Sequence, residues 1–207
     1  MSGRFISFEG IEGCGKTTQV ELLREYLTGR GASITLTREP GGAPIAEAIR
    51  GVLLDPDNTA MSDVTELLLY EAARAQHVHE VIAPALASGA IVLCDRFADS
   101  TTAYQGAGRG LAGDDLQRLH LLATGGVWPD LTLVFDLPPA CGLERIRARG
   151  VVDRIEQESL AFHERVRQGF LRLAQEEPER ITILDATRPI EDVAAVVRRK
   201  VDALLYP

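Results

Sequence analysis

Lysine is almost absent from this chain: of 22 basic residues only Lys16 and Lys200 are lysines, and the others are arginine. A lysine kept at position 16 is therefore a strong signal. Asparagine occurs once, at Asn58, so an Asn-Lys-x-Asp guanine-reading motif cannot exist, and the guanine-specific switch class goes with it. The three cysteines, Cys14, Cys94 and Cys141, are too few and too scattered for a disulfide framework or a zinc site of usual spacing. Their free state predicts a reducing, cytoplasmic setting. No stretch of about 18 apolar residues could span a bilayer. The first residues run straight into a strand pattern, which predicts no signal peptide. Surplus positive charge is missing as well: a net charge of −8 disfavours nucleic acid and anionic membrane as the main partner. There are no repeats, no low-complexity segment and no long linker, so residues 1–207 are expected to form one domain.

What is present is a glycine-rich loop in the right surroundings. Gly10-Ile11-Glu12-Gly13-Cys14-Gly15-Lys16-Thr17 fits G-x-x-x-x-G-K-[ST]. Arg4–Phe8 reads as a buried strand entering it, and Thr18–Leu27 as the helix leaving it. Strand, turn and helix N-terminus make a phosphate cradle, because the turn's N–H groups point inward and the helix adds partial positive charge. Lys16 is expected to reach the β- and γ-phosphates, and the Thr17 hydroxyl to bind Mg²⁺.

The rest of the chain alternates strand and helix, which implies an α/β fold with a five-stranded parallel sheet between two helical layers. Further strands are expected at Ala32–Thr37, Ala90–Cys94, Leu131–Phe135 and Arg180–Leu184. Helices are expected at Pro44–Leu54, from Ser62 to about Ala87 with a kink near Pro84, and around Ala140–Arg149, Glu156–Gln175 and Ile190–Leu205. Ligands of open α/β sheets bind beyond the carboxyl ends of the strands. That rim collects Lys16, Arg38 and Arg96 within an acidic protein, and a polyanionic ligand is the simplest partner for three cations. Structural ion pairs with Glu9, Glu39 or Asp95 are the alternative.

An ordered set of motifs resembles bacterial thymidylate kinase: Phe8-Glu9-Gly10-Ile11-Glu12-Gly13, Thr37-Arg38-Glu39-Pro40-Gly41-Gly42, Ala72-Ala73-Arg74, Asp95-Arg96-Phe97, Thr102-Ala103-Tyr104-Gln105-Gly106 and Asp153-Arg154-Ile155-Glu156. The resemblance implies a P-loop NTPase fold, a homodimer, and transfer of a phosphoryl group from Mg·ATP to dTMP for dTTP supply. Another pyrimidine or deoxynucleoside monophosphate kinase is the alternative within the class. Carried over residue by residue, the resemblance gives Arg38 and Arg96 the dTMP phosphate, and Glu12 the region of the sugar 3′-hydroxyl. Tyr70 and Arg74, four apart on one helix face, go to the thymine base. By spacing alone, however, Tyr70 also suits a plain core position. Tyr104 is expected to stand against the sugar 2′ position, Ser100 and Thr101 to line the base edge, and Gln105 to bind the substrate. The loop residues Gly10 to Thr17, together with Thr18, hold the ATP phosphates. Asp95 sits where such folds keep a Mg²⁺-associated acid, with an ion pair to a nearby arginine as the alternative.

The variable loop positions Ile11, Glu12, Gly13 and Cys14 include no base, so an arginine for the migrating phosphoryl group must come from elsewhere. Arg145, Arg147, Arg149 and Arg154 cluster around Gly150-Val151-Val152, which reads as a lid over about 145–156. Arg149 is the expected catalytic arginine and Arg154 the second ATP-phosphate contact; an exposed helix face paired with Glu144 is the alternative. His77 and His79 point to different faces and make no metal pair, while His120 and His163 are expected at the surface or an edge.

Overall fold

The computed structural model describes residues 3–111, 113–148, 150 and 153–206. Five strands, β1 (Arg4–Glu9), β2 (Ile34–Arg38), β3 (Ile91–Asp95), β4 (Leu131–Asp136) and β5 (Ile181–Asp185), form one parallel sheet in the order β2-β3-β1-β4-β5. Each lies within two residues of its expected position. Phe5, Ile6, Phe8, Leu133 and Phe135 are fully buried because both faces of the sheet are covered, which is why the central strands read as continuous apolar runs. Phe8 aligns with Asp95, and Asp95 with Arg38, so the polar strand ends share one edge. The chain leaves β1 toward β3 and β2 on one side and β4 and β5 on the other, and its carboxyl end is where a crevice opens.

The helices are α1 (Lys16–Thr28), α2 (Pro44–Leu54), α3 (Asp63–His77), α4 (Ala83–Ala87), α5 (Ala98–Thr101), α6 (Asp114–Thr124), α7 (Pro139–Arg147), α8 (Leu160–Glu176) and α9 (Ile190–Leu205). The long helix expected from Ser62 to Ala87 is one path in three pieces. Ser62 caps it by accepting from the Thr65 N–H, and Val78–Ile82 widens into a π-helical turn before α4. Pro84 supplies no N–H and would crowd the carbonyl four residues back, and the wider turn absorbs both. Helix α8 begins at Leu160 rather than Glu156 because Ser159 caps it there.

Residues 98–124 carried no expected element, yet they form α5, a π-helical segment (Thr102–Gly108) and α6. Packing against α8 sets the size of the residues at the contact: a Cβ on Gly108 would sit 2.7 Å from the Phe162 ring, and one on Gly169 2.9 Å from Ala107 Cβ. Small residues here let two helical segments touch. No helix among the described residues is long and apolar enough to cross a membrane.

Candidate active site

The phosphate loop links β1 to α1 and is held by two buried side chains of its own, Ile11 and Cys14. Gly10 (φ 132) passes so close to β4 that a Cβ would stand 2.6 Å from the Phe135 carbonyl oxygen. Gly15 (φ 92) is the N-cap of α1 and makes no side-chain cap, and no acid lies in the first turn. The leading N–H groups of α1 are thus left for an anion. Lys16 is buried and turned back under its own loop, donating from Nζ to the carbonyls of Gly10 (3.0 Å) and Ile11 (2.9 Å). Thr17 and Thr18 are exposed at the loop's mouth, and Thr17 Oγ1 donates to Asp95 Oδ2 at 3.3 Å. Asp95 is therefore beside the loop threonine.

Arg96 follows at the end of β3 and is the one non-glycine residue with a left-handed backbone among those described (φ 72). Such a conformation costs on the order of 1–3 kcal/mol and persists only where the surroundings impose it. Here the Arg96 N–H donates to the Phe8 carbonyl, and the side chain turns toward the loop. Its Nη1 donates to Gly10 O at 2.8 Å and to Ser100 Oγ at 3.1 Å, and its Nη2 to Glu12 Oε1 at 2.9 Å. Tyr104 stacks under the guanidinium, 5.0 Å from its centroid, and donates its hydroxyl to the same Glu12 oxygen at 2.5 Å. His163 Nδ1 lies 3.4 Å from the other Glu12 oxygen. Burial pushes the Glu12 carboxyl up, but Arg96, His163, Lys16 and Tyr104 together bring it down to about 2. Beneath them, Glu9 accepts from the Phe97 N–H and the Ser100 hydroxyl; burial and then the charge of Asp99 push it up to about 8.

All nine residues expected at the acceptor (Glu12, Arg38, Tyr70, Arg74, Arg96, Ser100, Thr101, Tyr104 and Gln105) line one cavity, and Gly13, Lys16, Thr17 and Asp95 line it too. Within it their situations differ. Arg38 is half exposed and makes a two-point pair with Glu47 rather than with Glu9, Glu39 or Asp95. Arg74 is almost wholly buried, donating to Glu39, Glu71 and Thr101. Tyr70 stands on the wall, and burial drives its phenol pKa upward. Gln105 donates to the buried Glu66 at 2.8 Å.

The arginines expected in a lid separate. Arg145 donates to the Gly13 carbonyl at 2.9 Å, so α7 reaches the phosphate loop. Arg154 is paired with Glu66 at 2.6 Å and donates to Leu53 O, which ties it to α3 and α2. Arg147 is exposed. Arg149 lies outside the described residues. Arg50, unmarked by any motif, also lines the cavity and donates to Pro40 O, and two histidines lie elsewhere than expected. His120 and His163 are buried, not superficial, each facing a glutamate. Glu71, three residues before Arg74 on α3, was legible by helical spacing; His163 had no local signal.

Comparison with known proteins agrees with this geometry. The family model described as Thymidylate kinase matches residues 8–197. A thymidylate kinase of Geobacter sulfurreducens is 56% identical over 201 residues, 94% of each chain. One of Pseudomonas putida is 54% identical over 205 residues, 99% of this chain and 96% of the relative. A crystal structure of thymidylate kinase from Ehrlichia chaffeensis superposes with a TM-score of 0.80 at 34% identity, covering 98% of this chain and 99% of that one. A phosphate loop facing an arginine-lined cavity is thus accompanied by end-to-end similarity, and the chain belongs to the thymidylate kinase family.

Proposed function

We propose that this chain transfers the γ-phosphoryl group of ATP to dTMP, releasing dTDP and ADP, as one step of dTTP supply. The observation that carries this reading is the single cavity walled by the phosphate loop at one end and by Arg38, Tyr70, Arg74, Arg96 and Tyr104 at the other. Donor and acceptor phosphates would meet between Lys16 and Arg96, and both cations already rest on the Gly10 carbonyl. Lys16 leaves that carbonyl for the β- and γ-phosphates, while Arg38 and Arg96 hold the dTMP phosphate in line. Glu12, kept ionised by Arg96, accepts from the sugar 3′-hydroxyl. The Tyr104 ring, packed against Phe162 and Phe170, closes the 2′ position to a ribose hydroxyl. Tyr70 and Arg74, with Ser100, Thr101 and Gln105 nearby, take the base.

Thr17 Oγ1 and Asp95 Oδ2 are hard oxygen donors 3.3 Å apart beside the loop, a set that suits Mg²⁺ carried in with a nucleotide. Bound there, the ion would offset charge on the β- and γ-phosphates. Residues 145–156 act as a lid on a single domain, with Arg149 as the arginine for the transferring group and Arg154 as a second contact; the Arg145 bond to Gly13 supports a lid that begins at the loop. The test is product analysis: ATP and dTMP should yield ADP and dTDP one for one, and Lys16→Ala should lower turnover by about a thousandfold or more with the fold kept. Hydrolysis of ATP without dTDP would contradict the assignment.

The enzyme acts in the cytoplasm, without a nucleic-acid or membrane partner, as a homodimer. Val64 and Leu68 on α3, Ile45 and Val52 on α2 and Leu121 and Leu122 on α6 are exposed apolar side chains on three adjacent helices, which supports a paired face. Sedimentation equilibrium should give twice the chain mass and Leu68→Glu a single chain mass; a monomeric parent would overturn the dimer.

A further inference from the structure

Arg74 is held from two sides by carboxylates, and each carboxylate is backed by a buried histidine. On one side Glu39 Oε2 accepts from Arg74 Nε at 2.8 Å, and Glu39 Oε1 lies 3.0 Å from His77 Nδ1. His77 Nε2 then meets Thr37 Oγ1 at 2.6 Å. On the other side Glu71 Oε1 accepts from Arg74 Nη1 at 2.6 Å and lies 2.9 Å from His120 Nδ1, whose Nε2 meets Thr102 Oγ1 at 2.9 Å. None of Glu39, Glu71, Arg74, His77 and His120 is more than 5% exposed. Room for the His77 ring is made by Gly42, where a Cβ would stand 2.5 Å from Nε2. A carboxylate can only accept, so both Nδ1 atoms donate, and in the neutral ring each Nε2 can accept from its threonine hydroxyl.

Two glutamates around one guanidinium answer its charge from within the protein. Arg74 is therefore unlike Arg38, which is half exposed, and unlike Arg96, which turns to the phosphate loop. Three of its five N–H groups are taken by Glu39, Glu71 and Thr101, yet the residue still lines the acceptor cavity. A donor so fixed and so neutralised suits an uncharged carbonyl oxygen, and opposes an amino group at the same place because two donors would face each other. It would not serve as a phosphate clamp.

We propose that the pairs Glu39–His77 and Glu71–His120 form a two-sided brace that fixes Arg74 as a charge-answered donor and so sets selection of a carbonyl-bearing over an amino-bearing pyrimidine. His77 and His120 are positioning residues in this scheme, acting through Glu39 and Glu71. The proposal rests on the acceptor reading given above.

The test compares the parent with His120→Leu, which removes one brace, and His120→Gln, which keeps a side-chain donor. Expected for His120→Leu is a KM for dTMP raised about tenfold, a KM for ATP within about twofold, and a dTMP-over-dCMP preference in kcat/KM narrowed about tenfold. His120→Gln should recover part of both effects. A folded His120→Leu variant with unchanged discrimination, or with both KM values moving together, overturns the brace. If His120→Leu fails to fold, His77→Gln and Glu71→Gln are read by the same two ratios against the same criteria. A parent that does not turn over dTMP overturns the acceptor reading itself; a dTMP-active parent with indifferent variants overturns the brace alone.

Discussion

Two glutamates near one arginine are driven in opposite directions. Glu12 is held near 2 by Arg96 and its other partners despite its burial, while Glu9, deeper and next to Asp99, is raised to about 8. Environment alone separates two otherwise equal side chains. The sign of the Glu9 effect is fixed: its folded pKa lies above the ordinary value of 4.5, so the stability it contributes is full below about 4.5 and is lost as pH rises through about 8. Glu9→Gln removes that titration. Urea unfolding at pH 5, 6.5 and 8 should find the variant gaining on the parent by on the order of 1 kcal/mol per pH unit. A parent–variant gap independent of pH would show that Glu9 stays ionised. At this scale much of the cavity's lining was legible, because the motif residues sit at strand ends and helix spacings. What was hidden is the set of partners. His77, His120 and His163 draw their meaning from Glu39, Glu71 and Glu12, which the fold, not the local pattern, brings to them.

Among elements, the contact between the phosphate loop and α7 is glycine on glycine. A Cβ on Gly142 would stand 2.3 Å from the Glu12 carbonyl oxygen, and one on Gly13 2.5 Å from that of Gly142. Helix α7 thereby lies against the loop and brings Arg145 to Gly13. Gly142 is helical, without a left-handed backbone, so Gly142→Ala adds bulk alone. Overpacking of this kind costs about 1–3 kcal/mol, and kcat/KM for ATP should fall about tenfold or more as the loop shifts. Parental kinetics in Gly142→Ala would mean that α7 does not set the loop. The strands and several helices could be read from periodicity, the one capped by Ser62 among them. Residues 98–124 could not, because Gly106 answers Leu116 of α6 and Gly108 answers Phe162 of α8 rather than a turn. The π-helical turn at Val78–Ile82 was visible only as a proline in the wrong place.

Over the whole molecule, an acidic chain of net charge −8 gathers Lys16, Arg38 and Arg96 at the carboxyl edge of a parallel sheet. The strand order puts β1 between β3 and β4, so the loop after β1 and the Asp95–Arg96 pair after β3 open side by side. A sheet built this way offers adjoining places for two phosphates, one on α1's N-terminus and one on Arg96. In the proposed function, the cavity wall from Tyr70 to Gln105 selects which monophosphate enters. The measurement that reaches this account most directly is kcat/KM for a panel of nucleoside monophosphates with Mg·ATP, including dTMP, dCMP, UMP, AMP and GMP. The account predicts dTMP as the best acceptor by about tenfold or more. A higher kcat/KM for any other member of the panel would contradict it.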